Sequence, residues 1–466
     1  MYLDILGLIG ACSYALDCVE AELVHSTNKH SKRVAYMSVC IAMNMGINDE
    51  SLQDLAACAL MHDNALTQYI KEELHNNYID IHGKQKQLPQ VGQHCILGEQ
   101  NIKELPFNTD VTNVILYHHE NADGSGIFGK KWNEIPLFSR IIHMCDILDL
   151  ACCNSINSDK HSKAVSNKYL PYWNKIQYFL ENVRGRLVDD ECIDSFLQVF
   201  SSDNISELDS DNIENNLWSR VPRMNKELSF MQLKQIAKFF AGIIDYKSPF
   251  TSTHSIGVAR IAEKLARYMG LGEETAQKMY LAGALHDIGK VAIGNDILEK
   301  PDKLTDEEYS VMKHHAAYTY YILSDINGFD EIRDWAAFHH ERLDGSGFPM
   351  RRRDFAMECR IIQACDAFDS YITGMECIRI PLQDAIGKIQ EGIIHKYDRK
   401  VVETLLSKIA YYPVGTAVKM SNQAEGIVVL QTEDPKCPVV LDFHSGESEK
   451  KYNLMLQKDI SILQII

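Results

Sequence analysis

The stretch HHERLDGSGFP, His339 to Pro349, decides the architecture because a close counterpart, HHENADGSG, occurs at His118 to Gly126. Seven of the nine aligned residues are identical. Buried histidines and acids need polar partners, so this pattern is costly to place in a protein. It is not expected to occur twice by chance. Its recurrence therefore predicts an internal repeat.

Further motifs occur twice in the same order. Seven residue pairs, at offsets of 220 to 224, carry the repeat: His30 and His254, His62 and His286, Asp63 and Asp287, His94 and His315, His118 and His339, His119 and His340, and Asp146 and Asp366. We infer two copies of one domain of about 200 residues, a usual domain length. The predicted limits are 1–215 for the first copy and 225–410 for the second.

Mainly helical structure is predicted for both copies. Apolar residues after His254 recur with helical spacing, at Val258, Ile261, Ala262, Leu265, Ala266 and Met269. The polar, acidic stretch 201–216 is typical of a linker or loose loop. Residues 411–466 alternate β-branched and polar residues around glycine and asparagine, which predicts a small β module.

Composition narrows the function. The chain has 466 residues and a net charge of −17, which argues against a nucleic-acid polymer or an anionic membrane as main partner. The apolar start is interrupted by Asp4 and Asp17, so it predicts an amphipathic helix, and no membrane span is expected elsewhere. Thirteen cysteines without CxxC spacing are typical of reduced thiols in a cytoplasmic protein.

The repeated histidines favour a metal centre. A lone His-Asp or His-His pair is usually incidental, and DGSG alone is only a turn. Ten of the 18 histidines, however, occupy the five repeated positions of each copy. Five imidazoles and two carboxylates suit two divalent ions, with Fe or Mn favoured and Mg, Ni, Zn and Co left open. Such a pair can hold a bridging hydroxide and a phosphate, and Lys290 can neutralise a phosphate oxygen.

His254, HDIGK at 286–290, His315, HHERLDGSGFP and Asp366 together resemble the HD-GYP branch of the HD phosphohydrolases. The resemblance covers about residues 230 to 410. It implies a fold class that is mainly α, with two tandem HD-type helical bundles plus the small C-terminal β module. It also implies a metal-dependent phosphodiesterase that hydrolyses a cyclic dinucleotide in bacterial signalling by means of a metal-bridged hydroxide. Cyclic di-GMP is the first choice and 3′,3′-cyclic GMP-AMP a close second.

The resemblance also implies roles for single residues. One ion would be bound by His254, His286, Asp287 and Asp366, and the other by Asp287, His315, His339 and His340. Asp287 would bridge the ions and act in catalysis. Lys290 would bind a substrate phosphate, and Arg342 is a further candidate for substrate binding.

Three departures from the family pattern bear on these roles. Phe348 stands where the naming triad usually has Tyr, which removes a hydroxyl but keeps the ring. Phe250 occupies the position of a glutamate that holds a third metal in some members, so two ions are expected. GMECIR at 374–379 replaces an arginine motif that contacts substrate in many members, which leaves base preference open.

The first copy is a second candidate metal site. It keeps all seven ligand positions: His30, His62, Asp63, His94, His118, His119 and Asp146. Leu66 takes the place of Lys290, which argues against efficient catalysis. A metal-binding but catalytically weakened domain is favoured, with a regulatory role, a purely structural role and a slow second active site left open.

Two other functions compete with hydrolysis of a cyclic dinucleotide. The repeat could serve as a non-catalytic, metal-stabilised signalling or binding module, or the protein could be an HD nucleotidase. Signalling proteins that dock on the Gly-Phe-Pro loop, Gly347 to Pro349, are candidate partners, and a homodimer is a further candidate assembly. The final product and the input signal cannot be read from these residues.

Overall fold

The computed structural model describes residues 1–466 except 24–28, 67, 69–91, 153–168, 209–210, 248–253, 299, 301, 374–381, 394, 409–411, 413–415, 431, 433, 435, 445–449 and 466. It is mainly helical, as predicted, with a small β-sheet near the C-terminus. The chain divides into two compact units. Unit 1 comprises Met1–Ser252 and Asp287–Arg333, and unit 2 comprises Thr253–His286 and Asp334–Ile466.

The described helices are α1 Ile5–Leu23, α2 His30–Asn44, α3 Asp49–Leu60, α4 Gly92–Ile102, α5 Leu137–Cys152, α6 Leu170–Val183, α7 Asp190–Val199, α8 Ile213–Arg220, α9 Phe230–Lys247, α10 His254–Tyr268, α11 Glu273–Leu285, α12 Asn295–Leu298, α13 Asp306–Met312, α14 His314–Ser324, α15 Asp330–Ala337, α16 Met357–Thr373, α17 Leu382–Gly392 and α18 Arg399–Lys408. The strands are β1 Tyr2–Asp4, β2 Asn225–Glu227, β3 Ala417–Met420, β4 Glu425–Leu430, β5 Val439–Asp442, β6 Lys451–Asn453 and β7 Ile462–Ile465.

Helix α2 is the centre of unit 1. It packs against α3, α5, α7 and α8, and every residue from His30 to Ala42 is buried. Two of these buried residues, Lys32 and Arg33, are cationic. A buried cation is tolerated only when it is paired with an anion. Arg33 forms a bidentate pair with Asp149 on α5, with Nε–Oδ1 and Nη2–Oδ2 distances of 2.6 and 2.8 Å. Lys32 pairs with Glu214 on α8.

Unit 2 is built around α10 and α16. Helix α10 packs against α11, α16 and α18, and α16 also contacts α11 and α17. Close approach of α10 and α11 requires Gly283, since an added Cβ would lie 2.8 Å from the Cα of Ala259. This packing places the start of α10, the end of α11 and the middle of α16 near one another.

The C-terminal module is a five-stranded antiparallel sheet with the order β6-β5-β4-β3-β7. Its core consists of Val418, Met420, Val428, Val440, Tyr452 and Leu454. The alternating burial along β4 agrees with the predicted period of two. The small β module inferred from the sequence is therefore confirmed.

The interpretation of 201–216 as a linker or loose loop is wrong. Residues 205–208 form a 3₁₀ turn and α8 begins at Ile213. Ile205, Leu208, Ile213 and Leu217 are all buried in unit 1. Acidic residues dominate the composition of this stretch, so the spaced apolar residues that anchor it in the core were overlooked.

The sequence also predicted that the chain has no membrane-spanning helix. Within the part of the chain that the structure describes, no helix is both long and apolar enough to cross a bilayer. Helix α1, Ile5–Leu23, occupies the position where the sequence predicted an amphipathic first helix.

Replacing Arg33 with methionine should destabilise the protein by about 3–5 kcal/mol, because Asp149 would keep a buried charge without its main partner. Urea unfolding of the full chain measures the loss. Arg399→Met is the matched control, since Arg399 is exposed and lies 3.7 Å from Glu403; its loss should be about 0–1 kcal/mol. Equal losses in the two variants would contradict the account of α2.

Candidate metal centres

The seven predicted ligands of the first copy all lie in unit 1, and the structure brings them together. His30 begins α2, and His62 and Asp63 follow the end of α3. His94 lies on α4, while Asp146 lies on α5. His118 and His119 lie in a turn, and their ring centroids are 4.0 Å apart.

Asp63 lies at the middle of this cluster. Its Oδ2 is 3.5 Å from His62 Nε2. Its Oδ1 is 3.4 Å from the Nε2 atoms of both His94 and His118. A carboxylate with imidazoles at both oxygens has the placement that a bridging ligand requires.

Asp146 forms the other acidic point of the cluster. Its Oδ1 is 3.3 Å from His30 Nε2 and 3.9 Å from His62 Nε2. Its Oδ2 is 3.7 Å from His119 Nδ1. The imidazoles are thus shared between two carboxylates, in the pattern expected for two neighbouring cations.

Hydrogen bonds at Nδ1 fix the orientation of most of these histidines. His30 Nδ1 is 2.7 Å from Asp149 Oδ2, while His62 and His118 donate from Nδ1 to the carbonyl oxygens of Ala59 and Ile115, three residues earlier. A carbonyl can only accept, so Nδ1 carries a proton and Nε2 is the nitrogen left to face the cluster. This is the arrangement of histidines that bind metal through Nε2.

Several buried polar atoms of the cluster lack hydrogen bonds among the described residues. They include His62 Nε2, His118 Nε2 and Asp63 Oδ1. Unsatisfied buried polar atoms are rare and costly, and convergent ones are explained by a bound cation. The donor set of the first copy therefore fits a metal centre.

Charges within the metal-free cluster are strongly coupled. Burial alone would lower the pKa of His94, but the neighbouring carboxylate of Asp63 outweighs it and raises the pKa to about 9. Burial likewise opposes ionisation of Asp146, yet the hydrogen bond from His30 and the charge of His62 lower its pKa to about 2. Protonated imidazoles thus balance the carboxylates, and bound cations would take the place of those protons.

Sequence reasoning missed two residues of the first copy. Cys95 is fully buried, and its Sγ lies 3.6 Å from His94 Nε2. Burial raises the pKa of this thiol, but His118 and His94 outweigh the effect and lower it to about 7. His143 is also buried, with its ring centroid 6.4 Å from that of His119. The second copy has Ala316 and Gln363 at these positions, so comparison of the copies could have singled out both.

The predicted ligands of the second copy are divided between the units. Unit 2 holds His254, His286, His339, His340 and Asp366. Asp366 Oδ1 is 3.3 Å from His254 Nε2 and 3.7 Å from His286 Nε2. One donor atom each from His286, His339 and Asp366 falls within 4.8 Å of the other two. These contacts match those of Asp146 in the first copy.

Nδ1 is fixed in the same way in unit 2. His286 and His339 donate to the carbonyls of Gly283 and Ala336, at 2.7 and 2.6 Å. His254 Nδ1 lies 2.8 Å from Asp369 Oδ2. Burial lowers the pKa of His254, but the nearby carboxylates of Asp366 and Asp369 outweigh this and raise it to about 9. Asp369 was missed, although the CDILD and CDAFD motifs place an aspartate there in both copies.

Unit 1 holds Asp287, Lys290 and His315. His315 Nε2 lies 3.5 Å from Asp287 Oδ1, and its Nδ1 donates to the carbonyl of Met312. Lys290 Nζ lies 2.8 Å from Asp287 Oδ2, and the lysine side chain is buried. The predicted bridging carboxylate, one imidazole and the predicted phosphate-binding amine are thus neighbours.

A buried glutamate organises each glycine turn. Glu341 accepts hydrogen bonds from the backbone N–H groups of Met350 and Arg352, both at 2.6 Å. Glu120 does the same for Phe128 and Lys130. Gly347 is required because an added Cβ would lie 2.4 Å from the backbone nitrogen of Arg342. The glutamate of the HHE motif and the glycines of the DGSG motif therefore act together to fix the conformation of the loop after the paired histidines.

The remaining predictions concern Arg342, Phe348, Phe250 and residues 374–379. Arg342 Nη1 lies 3.4 Å from Ser346 Oγ, at the surface of the turn. The Phe348 ring packs against His340, with centroids 4.6 Å apart. The aromatic ring that replaces the usual Tyr therefore contacts a predicted metal ligand. Phe250 and residues 374–379 lie outside the described residues.

Comparison with known proteins places the chain in a family. The sequence model of the family described as HD domain matches residues 17–170 and 238–401, more than half of the chain. The protein therefore belongs to the HD domain family, as the resemblance implied.

Individual relatives are more specific. The 3′3′-cGAMP-specific phosphodiesterase 1 of Vibrio cholerae serotype O1 is 28% identical over 371 residues, which cover 76% of this chain and 80% of that protein. The 3′3′-cGAMP-specific phosphodiesterase 3 of the same organism is 30% identical over 329 residues, covering 68% and 67%. A cyclic di-GMP phosphodiesterase of Pseudomonas aeruginosa is 31% identical over 191 residues, covering 39% and 45%.

A solved structure shares the fold. The crystal structure described as a cyclic GMP-AMP specific phosphodiesterase of V. cholerae, V-cGAP3, aligns with a TM-score of 0.61 and 22% identity. The alignment covers 87% of this chain and 97% of that chain. At this identity the match supports the overall fold.

Replacing Asp369 with alanine should lower the metal affinity of the centre that includes His254 by about 10- to 100-fold, because the Nδ1 partner that orients the ring is lost. Titration of the metal-free protein against a chromophoric chelator measures the affinity. Asp354→Ala is the control, since Asp354 is fully exposed and lies 3.5 Å from Arg360. An unchanged affinity in the Asp369 variant would show that His254 is not a ligand.

Proposed function

We propose that the protein is a metal-dependent phosphodiesterase that hydrolyses a cyclic dinucleotide, and that the second copy is its active site. The observation that carries this proposal is the oriented set of Nε2 atoms and carboxylates at the repeated positions. Two Vibrio relatives that are named as cyclic GMP-AMP phosphodiesterases support the proposal, and each matches more than two thirds of the chain.

We assign the metal ligands as the resemblance implied: His254, His286, Asp287, His315, His339, His340 and Asp366. The buried His254 Nε2 makes no hydrogen bond among the described residues, which fits a role as donor to a cation. Two divalent ions bound there would supply Lewis-acid activation of water and phosphate. Iron or manganese is the favoured identity, because the donors are imidazoles and carboxylates.

Lys290 and Asp287 act together in this proposal. Their 2.8 Å ion pair holds a buried ammonium beside the predicted bridging carboxylate. A phosphodiester oxygen that approaches this amine gains a charge-assisted hydrogen bond, which strengthens as negative charge develops on the phosphate. Water adds to phosphorus while one P–O bond to a ribose breaks, and the product is a linear dinucleotide.

Base preference is the finer part of the proposal. The sequence favoured cyclic di-GMP, with 3′,3′-cyclic GMP-AMP second. We now place cyclic GMP-AMP first, because the relatives that match more than two thirds of the chain carry that name, while the cyclic di-GMP phosphodiesterase of P. aeruginosa matches 39% of it. Side-by-side turnover of the two dinucleotides by metal-loaded protein tests this order, with dNTPs as the panel for a nucleotidase.

The first copy, in this proposal, binds metal without efficient turnover. Leu66 offers no ammonium group where the second copy has Lys290. The predicted limits of the two copies, action in the cytoplasm, docking of a signalling protein on the Gly-Phe-Pro loop and assembly as a homodimer are parts of the same proposal.

Replacing Lys290 with methionine should lower kcat/KM for the preferred dinucleotide by about 100- to 1,000-fold, which is the usual effect of removing one stabiliser of transition-state charge. Metal content should stay unchanged, because the amine is not a ligand. Lys300→Met is the control, since Lys300 pairs with Glu308 in a partly exposed position. Comparable activity in the Lys290 and Lys300 variants would overturn the role of Lys290.

Replacing Asp287 with alanine should abolish hydrolysis and reduce bound metal, because both oxygens of the predicted bridge are lost. The matched variant in the first copy is Asp63→Ala, which should reduce bound metal but leave most of the turnover. Activity and metal content are measured after anaerobic purification. If Asp63→Ala abolished turnover and Asp287→Ala did not, the active site would have to be assigned to the first copy.

A further inference from the structure

The first copy contains a sulfur donor that the second copy lacks. Cys95 directly follows His94 near the start of α4, and both side chains are buried. One atom from each of His94, Cys95, His118 and His119 lies within 4.8 Å of the other three. At the position of Cys95 the second copy has Ala316, so this set of donors is particular to the first copy.

An independent observation at the same place points to a ligand. His118 is fully buried, and its Nε2 makes no hydrogen bond among the described residues, although Asp63 Oδ1 lies 3.4 Å away. Its Nδ1 is engaged by the carbonyl of Ile115 at 2.6 Å, so the ring cannot turn to satisfy Nε2. A buried imidazole nitrogen that faces a carboxylate and lies close to a thiol and two further imidazoles is best satisfied by a cation.

We propose that His94, Cys95, His118 and His119 bind one Zn²⁺ ion, so that the first copy holds a thiolate-ligated metal of a different class from the ions of the second copy. Thiolates select Zn²⁺ over Mg²⁺ or Mn²⁺, and three imidazoles with one thiolate complete a tetrahedral site. Zn–N and Zn–S bonds of about 2.1 and 2.3 Å place tetrahedral donors about 3.3–3.8 Å apart. Since the four donors already lie within 4.8 Å of one another, they need to close by at most about 1.5 Å to reach that geometry.

A complete set of four protein donors has a functional consequence. Catalytic zinc sites keep a position open for water or substrate, whereas four protein ligands form a closed, structural site. The first copy also lacks the lysine, so thiolate ligation and the loss of phosphate binding point in the same direction. The zinc ion proposed here then stabilises unit 1 and takes no part in hydrolysis.

Cobalt substitution tests this inference without any activity assay. The full-length protein is stripped of metal and reloaded with Co²⁺, and its absorption spectrum is recorded. The wild-type protein should show an intense near-ultraviolet charge-transfer band from thiolate to cobalt. Cys95→Ala should lose this band and bind Zn²⁺ at least about tenfold more weakly, since even removal of partners outside the ligand set costs 10- to 100-fold.

Cys145→Ala is the matched control. Cys145 is equally buried and precedes Asp146, yet it belongs to none of the groups of candidate donors found among the described residues. This variant should keep the band. Cys95→Ser, which is nearly isosteric, replaces the alanine variant if that one does not fold.

A wild-type cobalt protein without a thiolate band would overturn the inference, and so would a band that persists in both Cys95 variants. Neither result depends on hydrolysis by the second copy. The zinc inference and the proposed phosphodiesterase activity can therefore fail separately.

Discussion

The hydrogen bond that seven of the buried histidines make through Nδ1 is the constraint on which the two sites depend. His62, His118, His286, His315 and His339 all donate from Nδ1 to the carbonyl oxygen three residues earlier. His30 and His254 use an aspartate on α5 or α16 instead. Each of these rings is thereby held in one orientation, and in unit 1 the Nε2 atoms of His62 and His118 both face Asp63. Without such partners the buried imidazoles would be free to rotate, and the nitrogen atoms would not be preorganised to bind metal.

Differences between the copies follow from single substitutions on this shared frame. Lys290 places an ammonium beside Asp287, whereas the first copy has Leu66 there. Cys95 adds a thiol beside His94, whereas the second copy has Ala316. In our proposals, the first change governs the binding of phosphate and the second governs the class of metal. Chemistry and structural stabilisation would then be divided between the two copies, while the hydrogen bonds that orient the histidines stay the same.

Much of this organisation could be predicted from the sequence, because the repeat compares the chain with itself. The mainly helical fold, the β module and the histidine positions were accessible in this way. The roles of Asp149, Asp369 and Glu341 were not, since the repeated motifs show that these acids recur but not which atoms they contact. Glu341 illustrates the difficulty: it lies beside the paired histidines, yet it binds the backbone of residues nine and eleven positions later.

The failed interpretation of 201–216 has a similar cause. Its acidic residues suggested a solvated linker, but Ile205, Leu208 and Ile213 are buried and Glu214 pairs with Lys32. The charged residues of a short helical segment indicate only which side faces solvent. A few apolar residues at helical spacing are enough to anchor the opposite side in the core. Cys95 was overlooked for a related reason: the two copies differ at this position, but the sequence does not show that the thiol lies beside His118 and His119.

Element-specific X-ray diffraction from anaerobically grown crystals measures the central claim most directly, since it locates ions and identifies them. The account predicts anomalous peaks about 2.0–2.3 Å from the Nε2 atoms of His254, His286, His315 and His339. A further peak with a zinc absorption edge should lie beside His94 and Cys95. Anomalous maps without ions at these nitrogen atoms, in protein that hydrolyses cyclic dinucleotides, would contradict the account.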